Sequence, residues 1–138
     1  MQKLSTINAT YGYNDVDGQL LFQVVRYQPK DFKQRRPDGQ GAWIWNLDGV
    51  HPVLYRLPEL STADPSKPVL IPEGEKDVET LRALGLVGTT NPGGAGKWKS
   101  EYNECLRDRH VVIVPHNDQP GQQHANRWRA PFWGLPPG

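Results

Sequence analysis

Two carboxylates sit at the ends of two apolar runs, and chemistry is possible where those ends meet. Val69-Leu70-Ile71 stops at Pro72-Glu73-Gly74-Glu75-Lys76-Asp77. Val111-Val112-Ile113-Val114 stops at Pro115-His116-Asn117-Asp118-Gln119-Pro120-Gly121. Short apolar runs bounded by turn residues read as buried strands of a parallel sheet. In open α/β sheets the ligand lies beyond the carboxyl ends of the strands. Glu73 and Asp118 are therefore expected at one edge. Carboxylates converging there suit a hard divalent cation, Mg²⁺ or Mn²⁺, that takes oxygen ligands and serves phosphate chemistry. His116 is a poor ligand for Mg²⁺ and a good one for transition ions.

Each acid also has a plainer reading. Glu73 is a metal ligand, a general acid–base, or a solvated acid near a helix N-terminus. Glu75 is expected to be solvated. Asp77 pairs with the helix dipole or supports the site, with Lys76 beside it. Asp118 is equally a helix N-cap. Gly74 is expected to let the backbone turn sharply and a ligand come close.

Cations form a second group. Arg26, Lys30, Lys33, Arg35 and Arg36 are interleaved with Tyr27, Phe32, Trp43 and Trp45. Cations for phosphates and aromatic faces for bases are what a single-strand surface needs. Alternation puts Trp43 and Trp45 on one face, which is expected to be at least partly buried. The loop Asn91-Pro92-Gly93-Gly94-Ala95-Gly96-Lys97 does not match a phosphate-loop motif, because Trp98 follows Gly-Lys where Ser or Thr belongs. It can still form an anion nest of backbone N–H groups, with Lys97 adding charge.

The elements that carry these residues follow from periodicity and turn chemistry. Residues 6–13 and 20–27 read as strands flanking Asn14-Asp15-Val16-Asp17-Gly18-Gln19, which has hairpin turn chemistry. Residues 41–46 read as a short strand and 53–57 as a strand or short helix. Residues 61–68 form a polar, Pro-containing connector. After it, strand 69–72, helix 75–84, strand 86–90, a helix near 100–107, strand 110–115 and a helix over 121–129 alternate. On the first of those helices, Val78, Leu81 and Leu84 share a face, and Gly85 ends it. Alternating strands and helices imply a parallel sheet. The expected architecture is α/β: a β-rich N-terminal subdomain over 1–60, a Rossmann-like parallel sheet flanked by helices over 69–129, and an irregular tail over 130–138.

Composition narrows the function classes. With 138 residues, one domain with a small appended piece is expected. The 14 glycines and 13 prolines imply that much of the chain is loop. The net charge of +1 means that nucleic-acid binding, if present, is local. Cys105 is the only cysteine, which excludes an intramolecular disulfide and a multi-cysteine zinc site. No apolar stretch approaches the ~20 residues of a membrane span, and Met1-Gln2-Lys3-Leu4 does not begin a signal peptide. The expectation is a soluble cytoplasmic protein with no membrane partner.

The two strand-end motifs together resemble the TOPRIM domain of bacterial and phage DNA primase-like replication proteins. That family has Glu-Gly at the end of its first strand, an Asp shortly after in primases, and Asp-x-Asp-x-x-Gly at a later strand end. The resemblance covers residues 69–129, and residues 10–60 resemble the region preceding this domain in phage and mobile-element primases. It implies metal-dependent nucleotidyl transfer in DNA replication, with single-stranded DNA and nucleotides as partners and Mg²⁺ or Mn²⁺ as cofactor. Glu73 takes the position of the catalytic acid, Asp118 the second Asp of the metal pair, and Asp77 the additional primase acid. The first Asp of the pair falls at His116, which removes an oxygen ligand. A catalytically inactive nucleic-acid-binding module and a TOPRIM nuclease are the alternatives. The domain is expected to be truncated, with a zinc-binding module or helicase encoded elsewhere.

Overall fold

The computed structural model describes residues 5–94 and 96–115. The chain opens with a four-stranded antiparallel sheet of order β1-β2-β3-β4: β1 Thr6–Asn14, β2 Leu20–Gln28, β3 Asp31–Pro37 and β4 Trp43–Ile44. The β1–β2 turn forms where the sequence places it. The Asp15 carboxylate accepts from the Asp17 and Gln19 N–H groups, each at 3.0 Å. Gly18 supplies the left-handed residue, at φ 88°. The basic run forms β3, paired to both neighbours, so its side chains alternate between two faces.

Helix α1, Leu57–Thr62, starts where residues 53–57 read as a strand or short helix, and it runs into the expected connector. Pro58 explains the shift, because the first helical turn does not need its missing N–H. Leu57 and Leu60 anchor the helix in the core.

The parallel sheet has order β6-β5-β7: β5 Val69–Ile71 in the middle, β6 Val87–Gly88 and β7 Val111–Ile113 beside it. Helix α2, Glu75–Ala83, joins β5 to β6, and a 3₁₀ helix over Ser100–Leu106 precedes β7. The expected helix at 121–129 lies outside the described residues. One core cluster gathers Leu54, Leu57, Leu60, Val69, Ile71, Tyr102, Leu106 and Val111 around the parallel sheet. A second joins Tyr13, Phe22 and Val24 of the antiparallel sheet to Tyr55 and to Val78 of α2. Leu84 does not share the buried face of Val78. The helix ends at Ala83, Gly85 takes φ 81°, and Leu84 is left 70% exposed.

Among the described residues, no helix is long and apolar enough to cross a membrane.

Candidate functional site at the parallel-sheet edge

β5 and β7 are neighbouring parallel strands in the register Val69↔Val111, Leu70↔Val112, Ile71↔Ile113. Pro72 and Glu73 follow the middle strand at its carboxyl end, and Gly74 caps α2. Gly74 has φ −142° and ψ 164°, an extended conformation open to any residue, so the expected sharp glycine turn is absent. A Cβ there would meet nothing within 4 Å, so neither the backbone conformation nor the packing requires glycine at this position. Glu73 and Asp77 are both half-buried, and Lys76 is exposed. Acids before and within the first turn of a helix are favoured by its dipole.

Three buried polar residues at the end of β6 hold this edge together, and the sequence reading did not single them out. The Thr90 hydroxyl donates to the Pro72 carbonyl at 2.9 Å, directly before Glu73. The Thr89 hydroxyl donates to the Tyr55 carbonyl at 2.7 Å, and the Tyr55 N–H donates to the Thr90 carbonyl at 2.9 Å. The Asn91 amide donates to the Pro92 and Gly94 carbonyls, closing the start of the glycine-rich loop. Gly93, Gly94 and Gly96 there all have φ near 80° or above, and Lys97 is exposed. The only local signal was Thr-Thr-Asn after an apolar pair, which does not reveal burial.

Glu75 is not solvated. It is 8% exposed, and Oε2 accepts the Tyr13 hydroxyl at 2.6 Å from a residue 62 positions away. Burial raises the Glu75 pKa, opposed by the hydrogen bonds from Tyr13 and from its own N–H. Burial, then the neighbouring Glu75 charge, pushes the Tyr13 hydroxyl well above its ordinary value.

The expected cationic cluster divides between the two faces of the antiparallel sheet. Tyr13↔Phe22 and Tyr11↔Val24 mark the face packed on α2. Val24↔Gln34 and Arg26↔Phe32 carry that face to β3, and alternation adds Arg36. Arg36 Nε donates to Asn46 Oδ1 at 3.2 Å, and Arg26 lies 5.8 Å from the Phe32 centroid. The opposite face carries Lys33, 5.4 Å from the Tyr27 centroid, and Arg35, 4.0 Å from that of Trp43 and 5.2 Å from that of Trp45. Arg35 Nε also donates to Gln23 Oε1 at 2.8 Å. Lys30 is exposed in the turn between β2 and β3. Trp45 is 46% exposed, so the tryptophan face is covered by Arg35 rather than by the core.

Glu73 and Asp77 carry the hard oxygen atoms that suit Mg²⁺ or Mn²⁺ in kind. Among the described residues, no group of three or more His, Cys, Asp or Glu side chains is arranged to hold a metal ion. Asp118 and His116, the other expected ligands, lie outside the described residues.

An antiparallel sheet packed on the helix that follows the middle strand of a parallel sheet defines a mixed α/β fold with its polar edge at Glu73. No protein-family model matches the chain, and no curated protein matches it. Among solved structures it is similar to the primase fragment of the bacteriophage T7 primase-helicase protein, with TM-score 0.57 and 20% identity over 85% of this chain and 46% of that one. It is also similar, with TM-score 0.51 and 17% identity over 89% and 59%, to a bacteriophage T7 structure. There the lagging-strand DNA polymerase interacts with primase domains bound to an RNA/DNA hybrid and dTTP. The chain spans about half the length of these structures, and the likeness is one of fold.

Proposed function

We propose that this chain is a TOPRIM-type, primase-like module for nucleotidyl transfer on single-stranded DNA. The observation that carries the reading is the adjacency of β5 and β7, with Glu73 following the first and His116 and Asp118 following the second in sequence. The fold likeness to primase fragments supports it. Glu73 acts as the acid that holds metal and moves a proton, Asp77 and Lys76 support it, and Asp118 with His116 completes the ligand set. A bound Mg²⁺ or Mn²⁺ would neutralise charge on the nucleotide phosphates and on the attacking and leaving oxygens. Lys97, at the glycine-rich loop, meets nucleotide phosphates. The cation–aromatic strip of Lys33 and Arg35, with Lys30 in the adjoining turn, meets the template backbone. A helicase or zinc-binding module encoded elsewhere would be its partner.

The deciding experiment is primer synthesis on single-stranded DNA with nucleoside triphosphates and Mg²⁺ or Mn²⁺. Metal-dependent primers lost in Glu73→Ala support the reading. Their absence in the wild type, with single-strand binding retained, supports an inactive binding module, the reading favoured by His116 at the position of the first metal-pair Asp. Degradation of the DNA instead supports a nuclease.

A further inference from the structure

Glu73 lies between two tethers that lead to the same pair of aromatic rings. On one side, the Pro72 carbonyl accepts the Thr90 hydroxyl, and the Thr90 carbonyl accepts the Tyr55 N–H. On the other side, Glu75 accepts the Tyr13 hydroxyl. The Tyr13 and Tyr55 rings meet, with centroids 5.1 Å apart, and Tyr13 also stacks on Phe22 at 4.7 Å and 8°. Tyr13 is fully buried, so it has one place to be.

Local and distant bonds meet at the first turn of α2, where Glu75 accepts its own N–H as well as the Tyr13 hydroxyl. Its cap, Gly74, makes no side-chain hydrogen bond. The first helical bond, from the Val78 N–H to the Gly74 carbonyl, is 3.3 Å long. Burying a carboxylate is unfavourable before its partners are counted. An exposed acid would serve the helix dipole at no such cost. The contact is better explained by what it fixes than by what it stabilises.

We propose that Tyr13 is a positioning residue: through Glu75 it sets the first turn of α2, and with the Thr90 bond it holds Glu73 at the sheet edge. The proposal rests on Glu73 being the working acid of the proposed transferase. The antiparallel sheet then acts as the brace of the reacting edge, in addition to offering cations to a template.

The test compares Tyr13→Phe, which keeps the ring and removes the hydroxyl, with Glu75→Gln, which keeps an acceptor oxygen. Amide hydrogen exchange is read at Val78 and normalised to Val69, whose N–H donates to His110 and lies outside both tethers. Normalisation cancels any global loss of stability. Tyr13→Phe is expected to speed Val78 relative to Val69 by about tenfold, as loss of one hydrogen bond implies. Glu75→Gln should stay within about twofold of wild type. In primer synthesis, Tyr13→Phe should lower kcat by about ten- to a hundredfold with the KM for template unchanged, as misplacement of a reacting group implies.

An unchanged Val78-to-Val69 ratio in Tyr13→Phe overturns the tether. So does a Glu75→Gln variant that exchanges as fast as Tyr13→Phe. If Tyr13→Phe does not fold, Thr90→Val cuts the other tether and is judged by the same Val78-to-Val69 ratio. A wild type that makes no primers overturns the transferase reading alone, because the exchange comparison needs no activity.

Discussion

The Arg35 guanidinium lies 4.0 Å from the centroid of the Trp43 ring, across the pairing of β3 with β4. Trp45 approaches the same guanidinium at 5.2 Å, and Gln23 accepts its Nε–H. Arg36, the next residue, belongs to the opposite face and reaches Asn46. Two adjacent arginines therefore have different duties, set by the two-residue period of the strand.

Arg35→Ala should reduce stability by about 1–2 kcal/mol, because it removes a cation–aromatic contact and a hydrogen bond together. Arg35→Lys should recover only part of this, since an ammonium cannot lie flat on an indole. Lys33→Ala should leave the melting temperature nearly unchanged. Both variants that remove charge should flatten the salt dependence of single-strand binding, by roughly 0.7 for each phosphate that is no longer neutralised. Fluorescence anisotropy at several salt concentrations, set beside thermal melts, separates the two effects. Wild-type slopes in both variants would reduce the strip to a solvated face.

Thr90→Val should cost about 1–3 kcal/mol although the shapes match, because the Pro72 carbonyl loses its donor while buried. Denaturant melts measure the loss. A neutral variant would mean that the hydroxyl does not bear on this edge.

Glu79 gathers four donors. It accepts the Tyr55 hydroxyl at 2.7 Å, two bonds from Arg56 at 2.9 Å each, and one from Arg82 at 2.8 Å. Burial opposes its ionisation, but the bonds from Tyr55 and Arg56 and the charges of Arg56 and Arg82 outweigh it and lower its pKa. An acid with a lowered folded-state pKa contributes stability above its unfolded value, and that contribution fades as pH falls through the folded one. Wild type should therefore lose stability as pH drops below about 4. Glu79→Gln should be less stable at pH 7 and show a smaller acid-induced decline. Melting at pH 7 and pH 3.5 checks both, and parallel declines would remove Glu79 from the account.

The sequence made the local elements legible where local chemistry decides them. Asp15 and Gly18 announce a hairpin, and the β5 and β7 runs announce parallel strands, although β7 is buried only at Val111 and leaves Val112 exposed. It misplaced what depends on distant partners. Nothing near Glu75 signals a buried carboxylate, because its partner Tyr13 lies 62 residues away. The helical period put Leu84 with Val78, but the helix ends one residue earlier, and Leu84 turns outward. The basic run was legible as charge and not as a strand, so its division between two faces was hidden until the register was known. At the site, Glu73 at a strand end was legible, whereas the clamp of Thr89, Thr90 and Asn91 required the third dimension.

The choice of metal offers the sharpest test of the ligand set. Imidazole disfavours Mg²⁺ and tolerates Mn²⁺, so His116 should make wild type bind Mn²⁺ more tightly than Mg²⁺. Glu73→Ala and Asp118→Ala should each abolish measurable binding of both ions, and Asp77→Asn should weaken it by a smaller factor. His116→Asp restores an oxygen ligand, so it should strengthen Mg²⁺ binding and narrow the gap to Mn²⁺. Without metal, the added carboxylate should repel Asp118 and lower the melting temperature, and Mg²⁺ should reverse that loss. Calorimetric titration of the four variants, with melts in chelator and in Mg²⁺, reads every effect. A His116→Asp isotherm for Mg²⁺ identical to wild type would place the metal away from this strand end and would remove the metal pair from the proposed mechanism.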